Sequence, residues 1–133
     1  MEINREEIQK IAAEADALQR MQKALKDQIV ALNMASLEAS VTVSSLQKIH
    51  GNENALVSLG SGVFASALLA TPTYVIVDIG GGIYGEFTPN MAINILNKRI
   101  EDMKKLTVKL EEELKNTQKS MMALEKRARK YVQ

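Results

Sequence analysis

The stretch VSLGSGVFASALLATPTYVIVDIGGGIYGEF, residues 57–87, decides how this chain folds. It is β-rich, nearly free of charge and punctuated by two glycine turns, while the sequence on either side reads as helix. Residues 52–88 carry only Glu53, Asp78 and Glu86 as charges, a net −3. Residues 55–59 read as a short strand, Gly60-Ser61-Gly62 as a turn and residues 63–69 as a second strand. Ala70-Thr71-Pro72-Thr73 breaks the chain, residues 74–79 form a third strand and residues 83–88 a fourth. Two successive β-hairpins follow from this pattern. A short helix at residues 65–70 is the alternative, set against turn signals close on both sides.

The glycines raise a second question. Gly80, Gly82 and Gly85 form a G-x-G-x-x-G after an apolar run, and VDIGGG is similar to the phosphate-binding turn of actin-like ATPases. A dinucleotide fingerprint needs strand, tight turn and then a helix whose N-terminus meets the pyrophosphate. Here Gly85 is followed by Glu86-Phe87-Thr88 and then Pro89, a strand ending before a helix. The third glycine therefore falls outside any helix. No second βαβ unit exists, no G-K-[ST] occurs, and 37 residues cannot make the two lobes of an actin-like fold. The glycines are expected to supply positive φ in a hairpin turn.

Both flanks carry a seven-residue rhythm. Residues 4–50 contain neither proline nor glycine. With Ile8 at position a, the a/d sites are Ile8, Ile11, Ala15, Leu18, Gln22, Leu25, Ile29, Leu32, Ser36, Ala39, Val43 and Leu46, ten of twelve apolar, which argues for a coiled-coil helix rather than chance. Asn4 with Glu7 reads as N-cap and capping glutamate, and His50-Gly51 as the stop. Thr88-Pro89 reads as the next N-cap and first helical position. From Ile93 the seam runs Leu96, Ile100, Met103, Thr107, Leu110, Leu114, Thr117, Met121, Leu124, Ala128 and Tyr131, again ten of twelve apolar. Two helices of matched length joined by a compact insert are expected to zip into an antiparallel coiled-coil hairpin. Separate intermolecular coils are the alternative. The fold class is thus mostly α with a small β insert, one domain with coil helices at 1–51 and 89–133 and two β-hairpins at 52–88.

Composition removes several functions. The 133 residues carry a formal charge of +1, so no global pull toward nucleic acid or membrane follows. There is no cysteine and one histidine, His50, which excludes thiolate catalysis, disulfides and Cys- or His-rich metal sites. No cofactor or metal is expected, and no enzymatic activity. Residues 98–130 hold 11 basic and 6 acidic side chains, but these interleave without an aromatic platform for nucleic acid. The start MEINREEIQK is unlike a signal peptide, and no apolar run approaches the ~20 residues of a membrane helix. A cytoplasmic location is the expectation.

The insert cannot bury its apolar side chains alone. Leu56, Val57, Leu59, Val63, Phe64, Leu68 and Leu69 come from the first hairpin, and Val75, Val77, Ile79, Ile83 and Phe87 from the second. Isolated hairpins are marginal in water and leave sheet edges open. Pairing with strands of other subunits, closing into a barrel, would solve both problems. These twelve residues are the candidate oligomer interface.

A long helix, the hairpins ENALVSLGSGVFASALL and TYVIVDIGGGIYGEF, then T-P and a second long helix, resemble the α-class subunit of prefoldin over the whole chain. The resemblance implies a central double β-barrel with coiled coils hanging from it. It also implies an ATP-independent holdase that captures nonnative proteins and passes them to a group II chaperonin. The implied partners are β-class subunits, copies of the chain itself, or both. Two departures stand out: the sequence stops at Gln133 without the longer acidic tail of many archaeal α subunits, and residues 65–70 are apolar and alanine-rich. Either fits a divergent, self-assembling paralogue, and a purely structural filament is the alternative function.

An antiparallel coil brings the start of the first helix to the end of the second. Ile3, Ile8 and Ile11 then lie near Met121, Met122, Leu124, Tyr131 and Val132, the candidate client-binding residues. Ile8, Ile11, Met121, Leu124 and Tyr131 are also seam positions and serve as coil core on the simpler reading. Ile3, Met122 and Val132 fall off the seam. Glu6 and Glu7 are expected to face Lys126, Arg127, Arg129 and Lys130.

Overall fold

The computed structural model describes residues 2–70 and 74–131, and side chains from residue 4 onward. Two helices, α1 (Glu2–Lys48) and α2 (Pro89–Arg129), enclose in sequence four strands: β1 (Glu53–Gly60), β2 (Val63–Leu69), β3 (Val75–Gly80) and β4 (Ile83–Phe87). The expected break at residues 71–73 lies outside the described residues. At 1.5 Å per residue the helices run about 70 and 60 Å along their axes.

The helices are antiparallel. Arg127 near the end of α2 pairs with Glu7 and Glu14 near the start of α1, Thr117 lies on Met21, and Leu106 and Leu110 share a groove with Ala31 and Leu32. The heptad reading holds in detail. Of the twelve a/d positions on each helix, all but Ile8 on α1 and Tyr131 beyond α2 are buried or half-buried. Ile11, Leu25, Leu110 and Leu124 are the most enclosed apolar side chains of this seam. Both exceptions sit at its free end.

Thr117 is a buried polar residue in the seam. Its hydroxyl donates to the Glu113 carbonyl at 2.9 Å and lies 3.7 Å from the Met21 sulfur. Thr107 bonds back in the same way to Met103 at 2.9 Å. A hydroxyl satisfied by its own helix costs the seam little, so Thr107 and Thr117 are tolerated there.

The ends of the helices differ partly from expectation. Thr88 caps α2 as read: its Oγ1 accepts from the Met91 amide at 3.2 Å, with Pro89 in the first turn. On α1, however, the helix already includes Asn4. Asn4 is therefore not the cap, and Glu7 is turned to Arg127 instead of to the helix start. At the other end Asn52, not Gly51, takes the left-handed conformation, with φ 61°. Its amide then donates to the Leu69 carbonyl at 2.7 Å and closes the open end of the first hairpin. Asn is the commonest alternative to glycine there.

The expectation that no stretch is apolar and long enough to cross a membrane needs correction. Helix α1 contains an 18-residue window of mean hydropathy 1.4, sufficient by length and composition alone. Ser, Thr and Asn interleave with Ile, Val and Leu there, so the run is broken residue by residue while its average stays high.

The chain divides into two units, Met1–Ser36 with Asp102–Gln133, and Leu37–Glu101. Within the second unit the hairpins are separate two-stranded antiparallel sheets, β1-β2 and β3-β4. They are built on one plan, twenty residues apart. Ser58-Leu59-Gly60-Ser61-Gly62-Val63 corresponds to Asp78-Ile79-Gly80-Gly81-Gly82-Ile83. In both, the register slips one residue before the turn, so that Gly60 pairs with Val63 and Gly80 with Ile83. The two loop residues have positive φ in each, Ser61 and Gly62 at 52° and 77°, Gly81 and Gly82 at 61° and 76°. That is the requirement of a type I′ turn, whose twist matches that of the strands. The Gly60 amide donates to Ser58 Oγ at 3.4 Å and the Gly80 amide to Asp78 Oδ1 at 2.9 Å, fixing each bulge from the same position.

Candidate functional site

Two regions present chemistry: the insert and the free end of the coil. In the insert, alternation divides each hairpin into two faces. Ala55, Ala65, Ala67 and Leu69 of the first, and Val75, Val77, Gly85 and Phe87 of the second, are half-buried. The opposite faces are open, with Leu56, Phe64 and Leu68 on one hairpin and Ile76 and Tyr84 on the other. Val57, Leu59, Val63, Ile79 and Ile83 are exposed as well. Of the twelve candidate interface residues, eight are therefore exposed in the single chain, and Leu69, Val75, Val77 and Phe87 are half-buried. Both faces carry large apolar side chains, although Asp78 and Glu86 share the outer face of the second hairpin with Ile76 and Tyr84, and among the described residues each strand has a hydrogen-bonded neighbour on only one side. Ile76 and Tyr84 were omitted from the candidate set, although period-two alternation from Asp78 places them with the exposed apolar side chains.

Gly85 lies inside β4, where a Cβ would come within 2.7 Å of the Phe87 ring. The ring covers the bare backbone of Gly85 on the same face. The third glycine of the nucleotide-like motif is thus a packing position in a strand, and no helix begins at it. The turn itself is held from outside: the Arg99 guanidinium on α2 donates to the Asp78 carbonyl, beside a recess lined by Asp78, Ile79, Gly80 and Arg99. Sequence reasoning missed Arg99, because a cation 21 residues from its acceptor leaves no spacing signal.

At the free end of the coil, Leu124 and Ile11 are buried and Met121 is half-buried, together lining a small apolar recess with Ala15 and Ala128. Ile8 and Tyr131 are exposed at 47% and 38%, and Met122 at 69%. The eight candidate client residues are therefore split. Three are seam, three are open, and the Ile3 side chain and Val132 lie outside the described residues.

Charge closes one side of this end. Arg127 reaches Glu7 at 3.0 Å and Glu14 at 3.3 Å. The hydrogen bond to Glu7 chiefly, with the Glu14 and Glu7 charges adding, raises the guanidinium above its ordinary value, while burial opposes. A raised cation contributes fully below its unfolded pKa and loses that contribution only as pH rises through the folded value. The pairing is therefore insensitive to pH across the neutral range. Glu14 was not anticipated, though it lies one heptad from Glu7 and so on the same face.

A helix, two hairpins with open apolar faces, and a second helix that returns along the first define a class: a coiled-coil hairpin interrupted by a β insert. The prefoldin subunit family has this organisation, and its profile matches residues 4–133, so the chain belongs to that family. It is 30% identical to the prefoldin subunit alpha of Methanosarcina barkeri, covering 100% of this chain and 96% of the relative. It is also 30% identical to prefoldin subunit alpha of Pyrococcus horikoshii, over 93% of this chain and 82% of the relative. Among solved structures, filamentous PFD from Methanocaldococcus jannaschii is similar in fold, with TM-score 0.58 and 19% identity over 90% of this chain and 96% of that one. The chain is accordingly a prefoldin subunit of the α type, a chaperone component and not an enzyme.

Proposed function

We propose that this subunit works without ATP as a holdase: assembled through its hairpins, it captures nonnative proteins at the coil tips and passes them to a group II chaperonin. β-class prefoldin subunits, further copies of this chain, or both complete the assembly, in the cytoplasm. The observation that carries the reading is the open tip, where Ile8, Met122 and Tyr131 present apolar surface beside a packed seam. Terminal turns open at low free energy, so Ile11, Met121 and Leu124 can join them. Methionine adapts to varied partners. Weak contacts from several arms then add through effective concentration.

The test is suppression of aggregation of a chemically denatured protein, with and without a β-class subunit and with and without ATP. Removing residues 1–8 and 125–133 is expected to weaken capture several-fold while leaving the assembly intact. Equal protection by the trimmed and full chains would refute the tip as the client site.

A second reading, self-assembly into fibres with little client delivery, is favoured by the likeness to a filamentous PFD and by a hairpin plan present twice. Electron microscopy of the chain alone separates fibres from discrete particles.

A further inference from the structure

The two hairpins share a backbone plan but carry different charge. On the outer face of the first, Leu56 stands opposite Ser66 and Ser58 opposite Phe64. Twenty residues on, Ile76 stands opposite Glu86 and Asp78 opposite Tyr84. The apolar members match in openness, Leu56 and Ile76 at 71 and 72%, Phe64 and Tyr84 at 60 and 64%. Where the first face has two serines, the second has two carboxylates. Asn54 and Leu68, the other outer residues of the first hairpin, are uncharged, so that face is neutral and its counterpart carries −2.

Asp78 and Glu86 are diagonal neighbours across the strand pair, about 7–8 Å apart, and both are exposed. Among the described residues neither carboxylate has a basic partner. Asp78 Oδ1 accepts from the Gly80 amide, and the Arg99 guanidinium goes to the Asp78 carbonyl. The turn requires only a short acceptor at that place, which Ser58 supplies in the first hairpin. Ser66 likewise stands where Glu86 does. The hairpin plan therefore needs neither negative charge.

We infer that Asp78 and Glu86 decide which subunit the second hairpin accepts, within the assembly proposed above and resting on that reading. They bar its outer face from the same face of another copy, and reserve it for a different subunit whose contacting strands carry lysine or arginine. A second copy pairing antiparallel edge to edge keeps the two outer faces on one side; a copy stacking face to face turns them together. Either way four carboxylates gather on a surface that is losing water. Like charges in register oppose strand pairing, and built-in repulsion is how surfaces of similar shape are told apart. The neutral first hairpin of another copy is a poor cover too, because the carboxylates would leave water for hydroxyls and one amide. Cations at alternate strand positions would answer both carboxylates and leave Ile76 and Tyr84 to pack on the partner's apolar side chains.

The test compares the full-length chain with Asp78→Ser/Glu86→Ser, which gives the second face the serines of the first. Self-association is followed by light scattering at about 0.01 M and about 1 M salt, where charges act over roughly 30 and 3 Å. The neutral variant is expected to self-associate about tenfold more tightly at low salt, with the gap closing at high salt. Asp78→Asn/Glu86→Gln, closer in shape to the natural side chains, should give the same order and so separates charge from packing. Full-length Asp78→Ser/Glu86→Lys is the cationic probe: mixed with the unaltered chain, it should form a mixed species more readily than the neutral variant does. Equal association of neutral and unaltered chains, or a gap that salt leaves untouched, would overturn the inference and leave the assembly standing. A mixed species no commoner with the cationic probe than with the neutral variant would overturn the cationic partner. Monomers throughout, variants included, would overturn the inference together with the assembly.

Discussion

The coil seam and the hairpin insert are made of much the same aliphatic side chains, yet one is closed within the chain and the other is not. Along the seam α1 lies on α2, as at Met21 and Thr117, so Leu25 and Leu124 are buried without outside help. Each strand of the insert finds one neighbour, and Leu56 and Ile76 on the outer faces find none. The difference lies in geometry, not hydrophobicity. A helix satisfies its own backbone and needs a partner along one stripe, while a strand needs partners on two edges and, where both its faces are apolar, on two faces. The insert is therefore the region where self-sufficiency ends.

Substitutions can break that contrast, and the largest effect belongs to the open region. Ile83→Lys with Phe87→Lys places two charges at the ends of β4, a strand that the proposed assembly would cover. Loss of higher-order mass in size-exclusion chromatography with light scattering is expected, with helicity at 222 nm retained. Unchanged particle mass would show that the insert is not the joint. Next comes the closed region: Leu25→Ala should cost about 2–5 kcal/mol in chemical denaturation, whereas Met34→Ala on the outer face of the same helix should stay within about 0.5 kcal/mol. Equal costs would erase the distinction between seam and outer face.

Finer changes test the turns. Gly82→Ala forces a Cβ into positive φ and should cost about 1–2 kcal/mol of hairpin stability. Gly81→Ser should cost less, because the first hairpin already holds Ser61 at the equivalent place with φ 52°. Hydrogen exchange of the β3 and β4 amides separates the two. Smallest of all is Arg127→Ala, an exposed pair whose loss should shift the melting temperature only slightly, less in high salt, and equally at pH 6 and pH 8.

Much of the architecture was legible in the residues themselves. The seam could be read because seven-residue spacing is a direct image of helix pitch, and the strands because Gly-Ser-Gly and Gly-Gly-Gly punctuate them. Features set by three-dimensional meeting were not. Arg99 on the Asp78 carbonyl, Glu14 joining Glu7 at Arg127, and Asn52 turning where Gly51 was expected each depend on where a neighbouring element lies. At the tip, spacing named the seam residues but could not tell that Ile8 and Tyr131 lie past the last well-packed layer.

The twenty-residue duplication has a consequence best put in the language of polymer chemistry. A monomer with two equivalent sticky ends has a functionality of two, and one with a single such end is a chain stopper. On the proposed assembly, how far growth proceeds is then set by the ratio of the two kinds of unit. Changing the abundance of a partner that offers a single such end would tune the product from closed particles to open strings with no change in the sequence of this chain.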